Sequence, residues 1–100
     1  TMPEMDLASA SCAIQNMWLA ARAEGVGLGW VSFFDPHALA DLLNMPRDAT
    51  PIAILCIGCV DYFPEKPLLD TLGWGQRLPM HDVVYTDTWP EDAKTTPVSY

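Results

Sequence analysis

Basic residues are scarce in this chain. Five lysines and arginines stand against 13 aspartates and glutamates, a formal charge of −8. The electrostatic attraction that draws proteins to nucleic acid or to an anionic membrane surface is therefore missing, and neither is an expected partner. The same scarcity bears on any phosphate-bearing ligand, for which Arg22, Arg47, Arg77, Lys66 and Lys94 are the available cations. Either a few of them are well placed or the rest of the cradle lies outside this chain. Long apolar runs are also lacking. The longest, around residues 52–60, falls far short of the ~20 residues a helix needs to span a bilayer. The N-terminal stretch Thr1-Met2-Pro3-Glu4 has neither the charged start nor the apolar segment of a signal peptide. With Thr1 ahead of the first methionine, it reads as a cut through a longer sequence. Cysteine is limited to positions 12, 56 and 59, an odd count without the spacing of a disulfide framework, which points to a reducing cytoplasm.

What is present is apolar material. Half of the 100 residues are hydrophobic, enough to predict one compact core. Asp6 is expected to cap a helix running to about Glu24, with Leu7, Ile14, Met17, Trp18 and Ala21 at helical spacing and Gly25 as its stop. The β-branched and aromatic content of residues 30–34 predicts a short strand. Asp35 then suits an N-cap and Pro36 the first helical position, with Leu39, Leu42 and Leu43 as the buried stripe before Asn44 and Pro46. Residues 52–60 form a nearly continuous apolar run, as in a strand buried on both faces at the centre of a sheet. Residues 68–74 are ambiguous, and Val83, Val84 and Tyr85 suggest another short strand. Residues 90–100 read as a polar tail.

The motifs that could carry chemistry each meet a plainer account. Cys56 and Cys59 have the C-x-x-C spacing of a redox pair or half a metal site. Residues three apart on a strand face opposite ways, however, and no second pair accompanies them, so they are expected to be buried structural cysteines. The run Gly25-Val26-Gly27-Leu28-Gly29 follows a helix and precedes a strand, the reverse of the dinucleotide-binding order. It serves either as a helix stop and tight turn or as a ligand contact. His37 and His81 are expected on the surface, near helix starts. Ser32 has no neighbouring His or Asp for a nucleophilic relay. Arg77 is either a surface ion-pair residue or a bidentate phosphate anchor.

Taken together, Met2-Pro3-Glu4-Met5-Asp6, the segment from Ala13 to Gly25, Gly29-Trp30-Val31-Ser32 and Arg77-Leu78-Pro79 resemble the C-terminal half of proteins in the flavin-dependent nitroreductase superfamily. More narrowly, they are similar to the branch that breaks down reduced FMN. The resemblance spans residues 1 to about 89 and implies an α+β fold, a mixed sheet flanked by helices, of which this chain holds an incomplete part. It implies a homodimer with FMN at the subunit interface and the first helix in the dimer core. It further implies that reduced FMN is the substrate and dioxygen the co-substrate, giving 5,6-dimethylbenzimidazole, the lower ligand of vitamin B12.

By the same resemblance Gly29, Trp30, Val31 and Ser32 contact the flavin, with Ser32 as the catalytic residue at the ring edge and Arg77 directed at the phosphate. Gly75 stands where relatives often carry a basic residue. The half that supplies further basic contacts and a catalytic aspartate is not among these residues, so the chain alone is expected to be inactive. Two other functions are compatible with the same residues: an NAD(P)H-dependent oxidoreductase using FMN, and a noncatalytic dimerisation fragment.

Overall fold

The computed structural model describes residue 2 and residues 4–92. Along the chain run α1 (Glu4–Ala23), β1 (Gly27–Val31), α2 (Pro36–Leu42), β2 (Ile54–Gly58), α3 (Leu68–Thr71) and α4 (Met80–Val83). This is the expected α+β class, and its described sheet is one antiparallel pair. The chain divides into two compact units, Thr1–Phe63 and Pro64–Tyr100. From residue 93 on, the expected polar tail lies outside the described residues.

In the first unit, α1 begins earlier than an Asp6 cap would allow. Asp6 lies with Glu4 inside the first turn, where both carboxylates meet the positive end of the helix dipole. The helix stops at Gly25 as expected. Gly25 takes φ +74°, its N–H donates to the Arg22 carbonyl at 3.1 Å, and the Val26 N–H donates to the Ala21 carbonyl at 2.8 Å. This left-handed stop satisfies two carbonyls that the helix end would otherwise leave open. In the last turn, the Arg22 guanidinium lies 3.7 Å from the centre of the Phe63 ring, joining the end of α1 to the segment that follows β2.

The reversal at Gly25 delivers the chain directly into β1, so the strand starts at the glycines. The strand expected over residues 30–34 is thus corrected to Gly27–Val31. Pairing ends at Val31 opposite Ile54. Beyond it, the Phe34 N–H turns back onto the Ser32 carbonyl at 3.1 Å, and the next residue is already committed to a helix cap. The Asp35 carboxylate accepts the N–H groups of His37 and Ala38 at 2.8 and 3.2 Å, with Pro36 at the first helical position, as expected. α2 ends on Asn44 at φ 52°, and the Met45 N–H donates to the Ala40 carbonyl at 2.9 Å. Asparagine here takes the left-handed position that glycine takes after α1.

The ladder pairs Gly27 with Gly58, Leu28 with Ile57, Gly29 with Cys56, Trp30 with Leu55 and Val31 with Ile54. Because side chains alternate along a strand, Leu28, Trp30, Leu55 and Ile57 share one face. Gly27, Gly29, Val31, Ile54, Cys56 and Gly58 share the other. α1 packs against β1, and Leu28, 9% exposed, is the one buried hydrophobic side chain among the described residues.

Two expectations are corrected by this burial. The apolar material is not gathered into a compact internal core, and β2 is not buried on both faces: four of its five residues are exposed. Cys56 and Cys59, expected to be buried, are also free and exposed, as is Cys12. The cause is the missing second layer on β2: paired strands lie side by side and cannot cover each other's faces, and among the described elements α1 packs on β1 while no helix packs on β2.

In the second unit, α3 resolves the ambiguous stretch as a single helical turn closed by Gly73 at φ 73°, with the Trp74 N–H on the Leu69 carbonyl at 2.9 Å. The strand expected at Val83, Val84 and Tyr85 is replaced by the end of α4. The Val84 N–H closes the turn on the Met80 carbonyl at 2.9 Å, and Val84 itself is extended. β-branched residues favour a strand only where a partner strand receives them. The Tyr85 hydroxyl donates instead to the Asp82 carbonyl at 2.6 Å, and its ring meets Trp89 edge-on at 5.1 Å. Among the described residues no helix is long and apolar enough to cross a membrane.

Candidate functional site

The residues singled out in the first unit lie together at the end of β1. Gly29 and Val31 point to the small-residue face of the ladder, whereas Trp30 shares the face of buried Leu28. Gly29 and Val31 can therefore offer direct surface to a ligand on the open face. Trp30 can reach that side only through its backbone.

Two glycines on this face have different reasons to be there. A Cβ at Gly27 would come within 2.5 Å of Val60 Cγ1 and 3.3 Å of the Gly58 carbonyl oxygen, so packing inside the chain accounts for it. A Cβ at Gly29 would meet nothing within 4 Å. Nor is Gly29 among the glycines with positive φ. No packing or backbone demand among the described residues thus requires glycine at position 29, and a glycine in a strand interior often marks a close approach by a ligand or another backbone.

Ser32 lies one residue beyond the strand, not within it as expected, and is exposed. Its backbone is held by the Val31–Ile54 pair before it and by its own carbonyl's bond to the Phe34 N–H after it. Its hydroxyl has no hydrogen-bond partner among the described residues, leaving one donor and two acceptor sites free. With Phe33, Phe34 and Asp35 it lines a shallow, open depression. The Asp35 carboxylate there is already engaged by the N-terminus of α2. Sequence reasoning missed Phe33, and its signal was an aromatic pair set between a strand end and a helix cap.

Arg77 belongs to the second unit. It is exposed in the segment between α3 and α4, and no carboxylate pairs with it among the described residues. Its five N–H donors are open to an oxyanion. His37 and His81 are both exposed, as expected, and His81 Nε2 lies 3.2 Å from an Asp82 carboxylate oxygen. Arg22, counted among the available cations, is occupied by the Phe63 ring. Among the described residues no three His, Cys, Asp or Glu side chains gather as a metal would require. Beyond the end of β1, the depression thus combines one free hydroxyl with an exposed aromatic ring.

Comparison with known proteins bears on the identity of a ligand. The model of the Nitroreductase family matches residues 1–59. A 5,6-dimethylbenzimidazole synthase from Rhodobacter capsulatus is 47% identical over 79 residues, covering 79% of this chain and 38% of that protein. A 5,6-dimethylbenzimidazole synthase from Rhodospirillum rubrum is 45% identical over 84 residues, covering 84% of this chain and 39% of that protein. The chain spans about two fifths of the length of these relatives.

Proposed function

The chain belongs to the nitroreductase family, and we propose that it is the C-terminal part of an enzyme that uses dioxygen to fragment reduced FMN into 5,6-dimethylbenzimidazole. The observation that carries this reading is the 47% identity to a 5,6-dimethylbenzimidazole synthase, extending beyond the family match to cover 79% of the chain. Residues 1–89 then form the C-terminal part of the FMN-binding domain, and residues 90–100 are its tail. Members of the family generally use FMN, and the residues at the end of β1 suit its ring. Gly29 leaves open the space that a Cβ would fill, and beyond the strand the Ser32 hydroxyl is free in its own depression.

Reduced FMN, as substrate, supplies the electrons for dioxygen and the ring carbons of the product. Ser32 acts as the catalytic residue: its Oγ can donate one hydrogen bond, accept others, and hold or pass a proton at the flavin edge. Gly29 and Val31 would offer their face to the ring, and Trp30 its backbone. Arg77 takes the phosphate, which a guanidinium can grip through two parallel bonds. One arginine compensates a doubly negative phosphate poorly in a chain of charge −8, so further cations come from the remainder of the protein. The exposed apolar side chains of α1, Leu7, Met17, Trp18 and Leu19, form part of a homodimer interface. Three free thiols suit a reducing cytoplasm.

The test uses the full-length protein with reduced FMN in air. Product identified as 5,6-dimethylbenzimidazole without an added acceptor supports the reading. Intact FMN turning over with NAD(P)H replaces it with an ordinary flavin oxidoreductase. Ser32→Ala should lower product formation by roughly 10²- to 10⁴-fold, the usual contribution of a positioned acid or base, and change FMN affinity little. Arg77→Ala should act on affinity instead, by roughly 10- to 100-fold for the loss of a charge-assisted hydrogen bond.

A further inference from the structure

Phe33 is 99% exposed, the highest value among the large apolar side chains described. It directly follows Ser32 and lines the same depression. Its backbone is restrained on both sides. β1 is paired up to Val31, the Phe34 N–H closes on the Ser32 carbonyl at 3.1 Å, and the Asp35 carboxylate is fixed by two N–H groups of α2. The segment from Ser32 to Asp35 is thus a short bridge between a strand and a capped helix, which presents the Phe33 ring to solvent.

What would cover this ring is indicated by its neighbours. Sites for small molecules combine apolar or aromatic walls with a few placed polar groups. Here an unpartnered hydroxyl adjoins an uncovered phenyl ring, at the end of a strand whose Gly29 leaves space for a close approach. A flat aromatic ligand with polar edges matches both features, because it can offer a face or edge to the phenyl ring and its heteroatoms to the hydroxyl. We propose that Phe33 is a flavin-positioning residue, supplying the apolar contact for the isoalloxazine ring beside Ser32; this rests on the chain being part of an FMN-binding enzyme.

The experiment compares the full-length protein with its Phe33→Ala and Phe33→Tyr variants. FMN affinity is read by flavin fluorescence titration and the stability of the flavin-free protein by thermal unfolding. Phe33→Ala should weaken FMN binding at least ~10-fold, from lost ring contact and burial. Phe33→Tyr keeps the ring and should bind within ~3-fold of the parent, a difference below 1 kcal/mol. Neither should lower the flavin-free unfolding temperature. Equal affinity of parent and Phe33→Ala overturns the proposal while leaving the FMN reading intact. A lowered flavin-free unfolding temperature with unchanged affinity also overturns it and assigns the ring to a protein contact. A parent that binds no FMN overturns both.

Discussion

β1 carries one glycine at its start and one at its middle, on the same face, and packing among the described residues explains only the first. At the Gly27 end, Val60 occupies the space that a side chain would need. Two residues along, at Gly29, that space is open, and the strand runs on to the exposed Ser32 and Phe33. Glycine weakens a strand interior by roughly 0.5–1 kcal/mol relative to alanine. At position 27 that cost permits a close internal contact. At position 29 nothing among the described residues offsets it, and a close approach by the proposed flavin ring would.

The largest stability effect is expected at Gly27. In the flavin-free full-length protein, Gly27→Ala should destabilise by about 1–3 kcal/mol, as overpacking does. Adding Val60→Ala should recover part of that loss in urea unfolding. If the double variant is no more stable than the single one, Val60 is not what holds position 27 to glycine. A smaller effect belongs to the anchor of the open end. Asp35→Ala removes a cap with two hydrogen bonds and should cost about 1 kcal/mol, whereas Asp35→Asn should retain most of the stability. The smallest is at Gly29, where alanine should raise flavin-free stability by roughly 0.5–1 kcal/mol yet weaken FMN binding in the same titration used for Phe33. Loss of stability without loss of affinity would make Gly29 a second Gly27.

Local chemistry was legible wherever a few consecutive residues settle the outcome. The stop at Gly25, the Asp35 cap with Pro36 behind it and the left-handed Asn44 each depend on hydrogen bonds spanning no more than five residues. Strand limits were less legible because they depend on a distant partner. β1 begins at Gly27 because Gly58 pairs with it, not because residues 30–34 are rich in β-branched and aromatic side chains. The valines at 83 and 84 carried the same signal and, without a partner strand, finished a helical turn instead.

The candidate site divides along the same line. Gly29, Trp30, Val31, Ser32 and Arg77 could be named from their likeness to a family pattern. The alternation of faces that sets Trp30 apart from Gly29 needs the register with β2, and the prominence of Phe33 needs its exposure. By itself, the sequence determined the helix stops, the Asp35 cap though not the start of α1, the scarcity of cations and the family, because these reside in residue identity and short-range bonding. Only the tertiary structure decided which glycine is packed, which cysteines are exposed and which aromatic ring is left uncovered. Each of those depends on atoms brought near, or kept away, by residues far along the chain.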